Sequence, residues 1–101
     1  MIIYNITVKV NNGILHDWLQ WQLNEHIPEI MNTGLFNNYK FFKLLEQDES
    51  EGATFVVQFD ADSMSKYNQY INEYAPLLRD KAMVAWCDQF IAFRTVMESV
   101  R

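Results

Sequence analysis

Along residues 2–10 apolar and polar positions alternate without a break. Ile2, Tyr4, Ile6, Val8 and Val10 point one way, and Asn5, Thr7 and Lys9 point the other. A period of two with one apolar side predicts a half-buried strand, and Asn11-Asn12-Gly13 ends it. From residue 14 to about residue 31 the period lengthens. Leu15, Leu19, Leu23, Ile27 and Ile30 fall within an arc of roughly 120° when each residue advances about 100°. That predicts an amphipathic helix, with Gly34 after Thr33 as its stop. Residues 38–46 alternate again, and the acidic stretch 47–52 is a solvated turn. In the third strand Phe55, Val57 and Phe59 oppose Thr54, Val56 and Gln58, so the two runs form a hairpin. Asp62 or Ser63 can cap a second helix. Its stripe (Met64, Tyr67, Tyr70, Ile71, Tyr74, Leu78, Ala82, Ala85) continues through Pro76, which predicts one bent helix. Ile91, Phe93, Thr95 and Met97 alternate with Phe90, Ala92, Arg94 and Val96 in a long fourth strand.

The order β-α-β-β-α-β is that of the split ferredoxin-like unit. The expected fold class is therefore α+β, a single domain over residues 1–101. Its antiparallel sheet has the order 4-1-3-2, and both helices lie on the face of Ile2, Tyr4, Ile6 and Val8. Composition agrees: 101 residues, half of them apolar and 15% aromatic, suit one domain that buries about two-thirds of its surface. Only three Gly and two Pro exclude collagen-like and low-complexity chains. One cysteine, Cys87, permits no internal disulfide, and no apolar run approaches the ~20 residues of a membrane span. The start lacks the basic region of a signal peptide, so a cytoplasmic protein without a membrane association is expected.

Asn24-Glu25-His26-Ile27-Pro28 and Asn72-Glu73-Tyr74-Ala75-Pro76 share Asn, Glu and Pro at equal spacing, 48 residues apart. Each proline removes the bond to the carbonyl four residues back and kinks its helix. The two kinks either bend the helices around a twisted sheet, or they also bring His26 and Tyr74 face to face beneath the helices. His26 lies in the apolar arc, where a histidine is a core side chain, a general acid or base, or an axial haem ligand. Trp18 and Trp21 flank that arc, as rim packing, a subunit contact or a surface on which a ligand stacks. Tyr70 and Tyr74 belong to the tyrosine stripe, whose buried hydroxyls need partners. The candidate pocket is thus His26, Tyr74, Tyr70, Trp18 and Trp21. No His, Cys, Asp and Glu grouping has metal-ligand spacing, and no metal or cofactor is expected. Arg79 is expected in solvent.

Asn5, Thr7, Val56, Gln58, Phe90, Ala92, Arg94 and Val96 are read as one sheet face directed away from the helices. The set is too apolar to leave wet, and a self-complementary twofold contact would cover it, so a homodimer is expected. A net charge of −5 argues against nucleic acid as a partner. The third strand, residues 52–59, has Glu51 and Ala53 where an RNA-recognition motif has a basic and an aromatic residue. The first loop, residues 11–14, has no arginine of the kind that holds phosphate in acylphosphatases of this topology. There is no Gly-rich phosphate loop, CxxC or GxSxG.

Several short pieces together resemble a group of short bacterial proteins classed as a domain of unknown function. They are Tyr4-Asn5, Trp18-x-x-Trp21, His26-Ile27-Pro28, Thr33-Gly34-Leu35-Phe36, Ala75-Pro76-x-Leu78-Arg79 and Ala92-Phe93-Arg94-Thr95. The likeness runs over essentially the whole chain, with Phe59 a departure where the group suggests Tyr. That group looks like a relative of the dimeric α+β barrels, which include antibiotic-biosynthesis-type monooxygenases and haem-degrading enzymes. The resemblance implies a fold and a dimer and assigns no activity. Two function classes follow. One is a dimeric module that binds a small apolar ligand or a protein partner. The other is a cofactor-free monooxygenase or isomerase, or a haem-binding variant, with its site between helices and sheet.

Overall fold

The computed structural model describes residues 1–101. Strand β1 (Ile2–Asn11) leads through a 3₁₀ turn (Asn12–Ile14) into a helical arm made of α1 (Leu15–Trp21), a π turn (Gln22–His26) and α2 (Ile27–Met31). Strands β2 (Asn38–Lys43) and β3 (Gly52–Ala61) form the hairpin; α3 (Met64–Glu73), α4 (Ala75–Trp86) and β4 (Phe90–Glu98) follow. The sheet is antiparallel in the order β2-β3-β1-β4, which is the expected 4-1-3-2 read from its other edge. No helix is long and apolar enough to cross a membrane.

Tyr4 lies opposite Phe59 and Val8 opposite Phe55. Residues directly opposite share a face of the sheet, and this one carries the core. One part surrounds Tyr4, with Phe36, Phe59, Tyr70, Ile27, Ile30 and Leu78. The other surrounds Trp18, with Val8, Val10, Ala53 and Phe55. Gly52 lets β3 approach β1, because a Cβ there would lie 2.8 Å from the carbonyl carbon of Val10 and closer still to its oxygen. Gly34 ends the first arm at φ +77°, a conformation that suits glycine.

Two corrections concern the helices. The first arm does not hold one uniform period. Pro28 has no N–H for the Asn24 carbonyl, and the chain answers with a π turn, in which the Ile27 N–H donates to the Gln22 carbonyl. A π turn takes up an extra residue and so rotates the following stripe back by roughly the 100° of one position. Ile27 and Ile30 thereby align with Trp18 and Gln22; all four are buried, while Leu23 is 47% exposed. Trp18, expected at the rim, is a core residue. The second arm is two helices and not one bent helix. Ser63 caps α3 by accepting from the Lys66 N–H at 3.3 Å. At φ −118° Tyr74 is stretched away from the regular helix two residues before Pro76, and it separates α3 from α4.

The third correction concerns β4. Arg94 lies opposite Ile6, Ala92 opposite Val8, Phe90 opposite Val10 and Val96 opposite Tyr4. These four side chains therefore share the helix-covered face and do not join Asn5, Thr7, Val56 and Gln58 on the outer one. Both sides of β4 are largely apolar, so alternation alone cannot orient it; pairing with β1 does. On the outer face β4 presents Ile91, Phe93, Thr95 and Met97.

Candidate functional site

Between the first helical arm, β1 and β4 lies a recess of about 40 Å³, lined by Trp18, Trp21, Gln22, His26, Ile6, Phe90, Ala92 and Arg94 among others. The π turn shapes it. Across this turn, closed by a bond between residues five apart, the rings of Trp21 and His26 stack with centroids 4.5 Å apart at 16°. Trp86 meets Trp21 edge-on at 5.8 Å and backs the pair.

Desolvation pushes the His26 imidazole down from 6.5 to about 4; Arg94 and Lys81 act in the same direction and Glu29 against it. Glu29 is itself held by Lys81 at 2.9 Å. At neutral pH His26 is therefore uncharged, with one N–H to donate and one ring nitrogen to accept. Gln22 is 6% exposed, lines the recess and makes no side-chain hydrogen bond within the chain. Arg94 enters none of the three ion pairs, which join Lys43 to Glu49, Lys66 to Asp62 and Lys81 to Glu29. Three polar groups thus meet on an apolar recess without partners from the chain. No three His, Cys, Asp or Glu side chains cluster so as to hold a metal ion.

Of the expected pocket residues, His26, Trp18 and Trp21 line this recess. Tyr70 does not: it is a core side chain 5.8 Å from Tyr4 and 5.0 Å from Phe36, centroid to centroid. Burial, reinforced by Tyr4, pushes its phenol well above the ordinary range, while Arg79 and Arg94 oppose the shift. Tyr74 is 37% exposed and opens onto a separate shallow depression with Glu29, Glu73 and Lys81. The repeat therefore does not bring His26 and Tyr74 face to face. The first proline is accommodated by a π turn and the second by a break, so equal sequence spacing does not give equal geometry. Arg79, expected in solvent, is half-buried; its Nη2 donates to the Tyr4 hydroxyl at 3.1 Å, and its buried Nε has no partner. Gln22 was legible in principle, since Trp18, Gln22 and His26 recur at four-residue spacing. Arg94, expected on the outer face, lies on the face that carries the helices.

The four-stranded antiparallel sheet, covered on one face by two helical arms with a recess beneath one of them, defines a ferredoxin-like domain of the kind found in antibiotic-biosynthesis-monooxygenase-like proteins. The chain belongs to the family described as domain of unknown function DUF4286, whose model matches residues 1–100. It is similar to a dimeric ferredoxin-like protein from an uncultured marine organism, with a TM-score of 0.69 and 13% identity over 100% of this chain and 96% of that one. An ethyl tert-butyl ether D (EthD) family protein from Bacillus halodurans superposes with a TM-score of 0.68 and 13% identity, covering 99% and 100% of the two chains. SnoaB, a cofactor-independent oxygenase from Streptomyces nogalater, gives 0.63 and 8% over 99% and 94%. At these identities the likeness is one of fold. No curated protein matches the chain in sequence.

Proposed function

We propose that this protein is a small homodimeric binding module that takes an apolar ligand into the recess beneath the π turn. One observation carries the reading: a largely apolar recess is lined by the side chains of Gln22, an uncharged His26 and a solvent-exposed Arg94, none of them engaged by another side chain. The enzyme reading has less support. A base held near 4 is weak at neutral pH, and the tyrosine expected beside it opens elsewhere. The recess is also well below the ~150 Å³ that admits a benzene ring, so a porphyrin does not fit this conformation.

The dimer would use the outer sheet face. Asn5, Thr7, Val56 and Gln58 lie there together with Phe42, Ile91, Phe93 and Met97, which are 47%, 58%, 66% and 42% exposed. An exposed sheet face that mixes large apolar with uncharged polar side chains in this way suits a twofold, self-complementary contact, and one fold neighbour is described as dimeric. Light scattering is expected to report twice the 12.0 kDa chain mass, and a single-chain mass for Phe93→Lys. For the recess, a thermal-shift screen of small apolar fragments tests the reading. A fragment at about a hundred times its Kd adds about 2.7 kcal/mol, and Ala92→Phe, which fills the recess, is expected to remove that gain while the protein still folds. Hits whose shifts survive Ala92→Phe would overturn it.

A further inference from the structure

The polar groups of the recess also specify the charge of what enters it. We infer that Arg94, Gln22 and His26 form a receptor for the carboxylate of a short-chain aliphatic acid, whose chain lies against Trp21 and Phe90; this rests on the binding reading above. The Arg94 guanidinium offers only donors, the Gln22 amide offers two N–H donors, and neutral His26 offers one. No acidic side chain lines the recess, and Glu29, the acid that acts on His26, is engaged by Lys81. Arg94 is exposed to solvent, and its positive charge disfavours a cation in the recess and favours an anion. A planar monoanion matches the guanidinium fork bidentately. A phosphate dianion would have to shed more hydration against the walls of Trp18, Phe90 and Ala92. Size sets the rest: about 40 Å³ admits a headgroup and not an aromatic ring. The ligand is then a short acid that places its carboxylate inward.

The test is an NMR titration of the full chain with butyrate and, separately, with its neutral counterpart butyramide at constant ionic strength. The signals followed are the indole N–H groups of Trp18 and Trp21 and the side-chain amide of Gln22. Butyrate is expected to shift these signals saturably. Butyramide is expected to bind at least about tenfold more weakly, the size of one charge-assisted hydrogen bond. Arg94→Gln is expected to weaken butyrate by a similar factor, and Gln22→Leu, an apolar change of similar volume, to weaken it several-fold. Equal binding of butyrate and butyramide, or undiminished butyrate binding by both variants, would overturn the carboxylate assignment and leave the apolar recess standing. No shift of the recess signals by butyrate would also overturn the assignment; the fragment screen with Ala92→Phe decides the binding reading independently.

Discussion

Replacing His26 by glutamine isolates the cost of keeping an imidazole uncharged beneath the helical arm. In the folded chain His26 takes up a proton only near pH 4, because burial disfavours the charged ring, whereas in the unfolded chain it does so near its ordinary 6.5. Between these values the unfolded state binds more protons, so stability falls as pH falls from about 6.5 and levels off below about 4. The gap corresponds to about 3 kcal/mol in full, of which about 2.5 kcal/mol is expressed by about pH 4.5. Glutamine keeps a polar group at the site but cannot titrate. Urea denaturation of both proteins at about pH 7 and about pH 4.5, at one protein concentration, measures the difference. Hydrogen bonding holds the Asp48 and Asp62 carboxyls below their ordinary range. These groups contribute alike to both proteins and cancel in the comparison. The wild type is expected to lose about 2.5 kcal/mol more than His26→Gln over this range. Parallel losses, or a His26 imidazole that titrates near 6.5 by NMR, would refute the reasoning.

Two further substitutions probe the framework that holds the site. Trp18 is 1% exposed and packs against Phe41 and Phe55, so Trp18→Ala should cost about 3–5 kcal/mol in chemical denaturation; a loss below 1 kcal/mol would return Trp18 to the rim. Gly52→Ala places a methyl group against the backbone of Val10 and is expected to lower stability by about 1–3 kcal/mol, with faster amide exchange where β1 meets β3. Unchanged exchange and melting would show that the strands can part without cost.

How much of this was legible in the chain depends on how local the deciding physics is. Alternation in residues 2–10 and 53–59 determined two strands and their inward faces, because only one side of each is apolar and a one-residue slip would expose it. The element order, the antiparallel sheet and the caps at Ser63 and Gly34 follow from equally local chemistry. The face of β4 does not, since Phe90, Ala92 and Val96 are as apolar as Ile91, Phe93 and Met97. Only hydrogen bonding to β1 places Arg94 on the face of the sheet that carries the helices. The π turn lies in the same category: Pro28 announces a disturbance, but whether the helix kinks, breaks or admits an extra residue is settled by what the following turn must pack against. Ile27 and Ile30 reach the core only with that extra residue in place, and the same insertion stacks His26 on Trp21. Periodicity therefore determined the layers of this protein, and tertiary packing decided which polar groups meet between them. A repeat in sequence encodes distance along the chain, whereas the recess depends on rotation about a helix axis and on pairing between strands distant in sequence.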